Sequence, residues 1–177
     1  MHSSDISSTN RILGLKGGSG ELLKFAILYR EQHKKLKAPG GYQPIILLVD
    51  NDEGAKDIFG FAKGMNKEFD PKFHPFVHLF RNLYLIATPL TPDKPLATTI
   101  EDFFTDEIKQ ELVDGKPFDP KKAHEDHTSY GKVIFAHSVV RPNADKIDFS
   151  NFKQLLLNIS AAIEYHRKFH PPPGKQG

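Results

Sequence analysis

At 177 residues, with 38% apolar and 26% charged side chains, the chain is long enough to bury one real core and has the balance of a soluble globular protein. It contains no cysteine, which excludes disulfides, thiolate catalysis and cysteine-based zinc sites, and no apolar run near the roughly 18 residues of a membrane span. A net charge of +2 is too small to announce nucleic-acid binding by itself, so local clusters must carry that information.

Residues 1–10 are polar and Ser-rich and read as peripheral; with neither a basic nor an apolar stretch they do not form a signal peptide, and a cytoplasmic location is expected. A short strand is expected at Arg11-Ile-Leu-Gly-Leu15, closed by Lys16-Gly-Gly-Ser-Gly20. From Glu21 to about Leu36 the pattern is helical, with Leu22, Ala26 and Tyr29 on one stripe and Lys34, Lys35 and Lys37 at the C-terminal end, where the helix dipole favours cations. Ala38-Pro-Gly-Gly41 stops that helix.

The run Ile45-Ile-Leu-Leu-Val49 is the clearest strand, and its unbroken apolar character predicts burial on both faces, as in a parallel sheet. Asn51 to Gly54 turn into a second helix, whose Ala55, Ile58, Phe59, Ala62 and Met65 lie at helical spacing. Phe76 to Phe80 and Leu83 to Thr88 read as two strands joined tightly through Arg81-Asn82. Pro89, Pro92 and Pro95 mark an irregular connection to Thr99-Ile-Glu-Asp-Phe-Phe104, followed by a short helix over Thr105 to Val113 with Thr105 as N-cap. Gly115 to Ser129 is a charged loop. Lys132 to Val140 is ambiguous, its β-branched residues favouring strand and its setting between polar loops allowing helix. Ser150 is expected to cap a final helix with Phe152, Leu155, Leu156, Ile159 and Ile163 as its apolar stripe. The pattern yields one domain over 11–170, with 171–177 as a tail.

Chemistry concentrates at Asp50-Asn51-Asp52-Glu53-Gly54. A hydrophobic strand ending in Asp-x-Asp puts two carboxylates at the carboxyl edge of a sheet, where open α/β folds place their sites. Such hard oxygens suit Mg²⁺, which keeps waters and substrate phosphate as its other ligands. The competing structural reading makes Asp52 a helix cap and Asp50 a solvated strand end. A haloacid-type phosphatase would need Thr or Val where Gly54 stands, an EF-hand would need helical flanks, and a nucleotide-sugar transferase stays open. Glu101 and Asp102, wedged between Ile100 and Phe103, could be metal ligands or the acids of a helix N-terminus. Lys132 could clamp a phosphate or be a solvated surface lysine. Gly17-Gly18-Ser19-Gly20 lacks the Gly-Lys-Ser/Thr ending of a P-loop and reads as a simple turn. The pairs His124/His127 and His166/His170 lack a third ligand nearby in sequence, so the histidines are expected at the surface.

The order of these pieces resembles a Toprim domain of the kind found in overcoming-lysogenization-defect nucleases. It is similar in particular to the Toprim extension of certain retron reverse transcriptases. The resemblance runs from about Arg11 to Phe169. It rests on Leu15-Lys-Gly-Gly-Ser-Gly20, Ile45 to Gly54, Ile100-Glu-Asp-Phe-Phe104, Tyr130-Gly-Lys-x-x-Phe-Ala136 and Ile147-Asp-Phe-Ser-x-Phe-x-x-Leu-Leu156. It implies an α/β fold with a mostly parallel sheet flanked by helices, and a C-terminal helical extension. It implies Mg²⁺, or Mn²⁺, held by Asp50, Asp52 and Glu101 with Asp102 in support, and Lys132 and Glu101 acting in phosphodiester cleavage of DNA or RNA. The implied partners are nucleic acid, a retron reverse transcriptase and its RNA–DNA product, with self-association compatible and no membrane; the implied role is phage defence. The sequence departs from the family in one respect: nothing before Arg11 resembles the glutamate-bearing strand that opens Toprim domains, and Glu21 follows the Gly-Gly turn. The expectation is therefore a fold incomplete at its N-terminal side, a remnant or piece of a longer protein, with an unpaired strand edge. A non-catalytic docking module is the alternative.

Overall fold

The computed structural model describes residues 18–35, 41–66, 68–122 and 124–170; the strand expected at Arg11–Leu15, the peripheral segment and the tail lie outside them. The chain separates into two compact units, one holding the described residues up to Thr98 together with those from Leu155 on, the other Thr99–Gln154. No helix among the described residues is long and apolar enough to cross a membrane.

The first unit is built on a three-stranded sheet in the order β1 (Ile45–Val49), β3 (Leu83–Ala87), β2 (Val77–Phe80). β1 and β3 run parallel, pairing Ile45 with Leu83 through Val49 with Ala87, whereas β2 and β3 are antiparallel. The sheet is thus mixed rather than mostly parallel. The cause is the tight Arg81-Asn82 link, with Arg81 at φ 53°, which can only reverse the chain. β3 is the central strand and every one of its residues is buried. Leu83, Leu85 and Ile86 are each at most 1% exposed, and each contributes about 1.5–3 kcal/mol by leaving water.

Burial of β1 on both faces is not observed. Leu47 and Val49 enter the core, but Ile45 and Ile46 are half-buried and Leu48 is 38% exposed. β1 is an edge strand among the described residues, so its second face lacks the cover a doubly flanked parallel strand receives.

Helices α1 (Ser19–Lys35) and α2 (Lys56–Met65) cover one face of the sheet. Ala26, Ile58 and Ala62 join Leu47, Val49, Val77, Leu79, Leu83 and Leu85 in one apolar cluster. The α1 stripe expected from Leu22, Ala26 and Tyr29 is the one that packs, and it includes His33, which is buried against Tyr29 and Phe80.

The second unit contains α3 (Asp106–Lys109), α4 (Lys132–Ile134) and, continuous with it, a π-helical stretch over Phe135–Val140. The ambiguous 132–140 segment is therefore helical. α3 stops at Lys109 rather than near Val113, because Val113 and Lys116 pair around Asp114-Gly115, whose φ values of 50° and 73° form a reversing turn. Phe104, Phe118, Tyr130 and Phe135 form the aromatic core of this unit, with Phe118 stacked on Phe135 at 4.3 Å. In the charged loop, Asp126 accepts hydrogen bonds from Lys122, Thr128 and Ser129. These hold its carboxyl well below the usual range, Lys122 contributing most.

The last helix is α5 (Lys153–Phe169), preceded by a single 3₁₀ turn over Ser150–Phe152. Ser150 does not cap it; its amide and hydroxyl both donate to Asp148. The buried stripe of α5 is Leu155, Asn158, Ala162 and His166, while Leu156 is 57% exposed. Two polar residues thus occupy core positions. His166 is fully buried rather than at the surface, with Nδ1 3.0 Å from the Tyr84 hydroxyl and Nε2 without a partner. Burial, with Tyr165 nearby, pushes the Tyr84 phenol up to about 12. His170 stacks on His166 at 4.8 Å, and His78 lies 5.8 Å from His170 and 4.9 Å from Tyr84.

Desolvation first, then His166, His78 and Arg81, lower the pKa of His170 below its ordinary value. A depressed imidazole pKa favours the neutral ring in the folded state. The associated stability is complete above the unfolded value of about 6.5 and is lost as pH falls through the lower folded value. The urea midpoint should be lower at pH 5 than at pH 7.5, and His170→Gln should shrink that difference. An unchanged pH response in the variant would place its origin elsewhere.

Candidate functional site

β1 delivers its C-terminal end into a buried hydrogen-bond clamp. The Asn51 amide donates to the Thr98 carbonyl at 2.8 Å and lies 2.9 Å from the Thr88 hydroxyl, and the Thr98 amide donates back to the Asn51 carbonyl at 3.0 Å. The threonines are cross-linked as well: the Thr88 hydroxyl donates to the Thr98 carbonyl at 2.8 Å, and the Thr98 hydroxyl donates to the Thr88 carbonyl at 3.1 Å. Thr88 is 0% and Thr98 1% exposed. β3 ends where this clamp begins, since the Thr88 amide donates to the Val49 carbonyl at 3.0 Å. Sequence reading did not find the pair. Thr88 stands visibly after an apolar strand, but no spacing rule links it to Thr98 across three prolines.

Asp50 and Asp52 flank the clamped Asn51. Both are half-buried, and the extended backbone of Asp52 (φ −137°, ψ −177°) continues the strand geometry that sends residues i and i+2 to the same side. Asp52 stands at the N-cap position of the 3₁₀ turn Glu53–Ala55, but its side chain makes no capping hydrogen bond; the Ala55 amide is taken by the Asp52 backbone carbonyl at 3.1 Å. The capping role weighed for Asp52 is therefore not the one its carboxylate fills. At Gly54 the constraint is space rather than backbone freedom. A Cβ there would stand 3.1 Å from Asp52 Oδ1, tight enough to shift the carboxylate by a few tenths of an ångström. The Ser19 hydroxyl, at the start of α1, donates to the Gly54 carbonyl and ties the same loop from below. The Gly18-Ser19-Gly20 segment is thus a turn into a helix, as its lack of a P-loop ending implies, with Gly18 at φ 83°.

Beside this loop lies a cleft of about 550 Å³. Asp52 and Glu53 stand on one side, Lys56 and Lys63 of α2 on another, and Phe59 and Leu96 supply apolar wall. Asn51 also lines it; its Nδ2 is buried and has no hydrogen-bond partner. These lysines and Asn51 are contributors that the sequence reading passed over. The spacing of Lys56 and Lys63, seven residues apart on one helix face, was the available signal.

Glu101, Asp102 and Lys132 belong to the second unit. Thr99 precedes the 3₁₀ turn Ile100–Phe103, and the Thr99 amide donates to Asp102 Oδ2 at 2.7 Å while the Asp102 amide donates to the Thr99 carbonyl at 3.1 Å. Asp102 thus takes the helix-terminus role that its sequence position allowed. Glu101 is only 6% exposed, and its Oε2 lies 2.9 Å from Lys132 Nζ. The two charges touch, but the oxygen gains no well-aligned hydrogen bond. The structure therefore brings Glu101 and Lys132, 31 positions apart, into one ion pair. Lys132 is held there because it opens α4 after Gly131, with its amide donating to the Lys122 carbonyl at 2.9 Å. His124 and His127 are exposed, as expected. Among the described residues no group of three or more His, Asp or Glu side chains gathers to hold a metal ion. No protein-family model matches the chain, and no solved structure matches it.

Thr88→Val removes the hydroxyl that links β3, Asn51 and Thr98 and leaves buried polar groups unpaired. It should cost about 1–3 kcal/mol in urea denaturation, with Thr88→Ser much milder. Lys132→Met strands a buried carboxylate. Its cost should be about 1–3 kcal/mol, between values for exposed and fully buried pairs because Lys132 keeps 35% of its side-chain surface. Adding Glu101→Gln should return part of it, and a double mutant as unstable as the sum of the singles would exclude the coupling.

Proposed function

We propose that the chain is a divalent-metal-dependent module that cleaves nucleic-acid phosphodiesters, of the Toprim type associated with retron reverse transcriptases and phage defence. The observation that carries this reading is the loop after β1. Asp52 occupies a cap position without capping, Gly54 leaves room for its carboxylate, and the Thr88–Thr98 clamp fixes the backbone between it and Asp50. The donor chemistry fits Mg²⁺ or Mn²⁺. These ions are commonly held by only one or two carboxylates, the remaining positions going to water and phosphate, so a cage of three protein ligands is not needed. When bound, such an ion neutralises phosphate charge and lowers the pKa of a coordinated water. The chain's own part is to hold two carboxylates in a loop whose backbone is clamped at the end of β1, which favours a fixed geometry between turnovers.

A second reading, a non-catalytic module that docks a reverse transcriptase or another copy, is favoured by the second unit. There Asp102 is used as a cap and Glu101 is neutralised by Lys132, so both acids have structural work. The two readings differ in metal response.

Cleavage of end-labelled single-stranded DNA and RNA should require Mg²⁺ or Mn²⁺ and fall at least a hundredfold in Asp50→Ala and in Asp52→Ala, with circular dichroism unchanged. The same ions should raise the melting temperature of the wild type but not of the double variant. Undiminished cleavage in the double variant would refute the assignment; no metal response and no cleavage in the wild type would leave the docking reading.

A further inference from the structure

The cleft beside Asp52 has a floor that its sequence leaves bare. Lys56, Phe59, Gly60 and Lys63 fall on one stripe of α2, with an ammonium stem at each end about 10 Å apart along the axis and, between them, the Phe59 ring beside the bare Gly60. A glycine inside a ten-residue helix weakens that helix relative to alanine. Packing does not require it, since no atom lies within 4 Å of the position its Cβ would take. What the missing side chain does is keep the cleft open. Lys56 is within 3.5 Å of Glu53, but both side chains are largely exposed, and such a pair yields readily to a stronger anion. Phe59 and Leu96 offer apolar surface, Leu96 being 80% exposed. Behind this wall the side-chain Nδ2 of Asn51 is buried and without a hydrogen-bond partner, in a residue that is 7% exposed. A cleft of about 550 Å³ is within the size range of small-ligand sites.

We propose that this cleft binds one nucleoside phosphate unit of a single strand. Lys56 and Lys63 take the phosphates on either side, and Phe59 and Leu96 receive the base and sugar. The proposal rests on the phosphodiester reading of Asp50 and Asp52 and names the substrate unit for it. A free nucleotide carries the same groups, and the two sources are separated by the test.

Binding of a fluorescein-labelled short oligothymidylate to the full chain is measured by anisotropy in EDTA, so that it is read apart from cleavage, with thymidine monophosphate as a parallel ligand. Gly60→Leu fills the floor while favouring the helix, and should weaken oligonucleotide binding about tenfold, the loss of one stacked unit, without lowering the melting temperature. Lys56→Ala/Lys63→Ala should reduce the slope of log K against log salt by about 1.4, two contacts at about 0.7 each. A folded Gly60→Leu variant with unchanged oligonucleotide affinity overturns the proposal. So does a wild type that does not bind the strand, or a plug that blocks only the mononucleotide. Metal-dependent cleavage that survives the plug at full catalytic efficiency sinks the cleft and spares Asp50 and Asp52. A plug effect on binding without any cleavage by the wild type spares the cleft and sinks the nuclease reading.

Discussion

The exchange of hydrogen bonds among Thr88, Thr98 and the Asn51 backbone is the interaction on which the acidic loop depends. Two threonine hydroxyls, both in the dry interior, each satisfy a carbonyl of the other's backbone, while the Asn51 amide and carbonyl are both spoken for by Thr98. Each such bond is worth only about 1 kcal/mol net, but leaving its members unpaired in that setting costs about 1–3 kcal/mol each, so the network forms as a whole or not at all. Its consequence is geometric. The chain leaving the parallel β1–β3 pair is held where Asp50 and Asp52 stand, and the long proline-rich connection from β3 is pinned at both ends, at Thr88 and at Thr98.

Much of the first unit was legible because its signals are local. An apolar run bounded by a turn, two β-rich segments around Arg81-Asn82, and an amphipathic segment after Gly54 each state their own structure, and β1, the β2–β3 hairpin and α2 follow them. What failed to show was anything requiring a partner distant in sequence. Ile45-Ile-Leu-Leu-Val49 looks doubly buried, yet whether a strand is central or marginal depends on its neighbours, and among the described residues β1 is an edge with Leu48 exposed. His166 carries a polar label that a hydropathy stripe discards. It is a core residue only because Tyr84, 82 positions away, offers its hydroxyl and an edge-on ring.

The acids were legible as candidates but not as roles. Asp52 and Asp102 both stand just before or within the first turn of a 3₁₀ segment, and sequence treats them alike. The structure separates them: Asp102 reaches back to the Thr99 amide, and Asp52 does not reach its turn at all. The difference comes from the position of each. In both turns the amide three residues on bonds the cap carbonyl, but Asp102 is the third residue of its turn and can reach back to the Thr99 amide, whereas Asp52 is itself the cap residue. Glu101 and Lys132 make a parallel case. Their proximity depends on the fold of the whole second unit, and a buried carboxylate held by one lysine is weak as a stabilising device, since desolvation offsets most of the attraction.

The unused cap at Asp52 has an energetic meaning. An aspartate that caps contributes about 0.5–2 kcal/mol, and the loop forgoes this while still carrying a charged side chain half out of water. It also keeps a glycine at position 54, where a larger residue would press on that carboxylate, and another at position 60, where a larger residue would strengthen α2. Each choice works against stability; Asp52 and Gly60 line the same cleft, and Gly54 stands next to Asp52. Sites that bind ligands are where local rules are broken without a structural return. A solvated strand end would have no reason to break such rules together, and that concentration, more than any single carboxylate, is what supports the proposal that the loop after β1 binds a ligand.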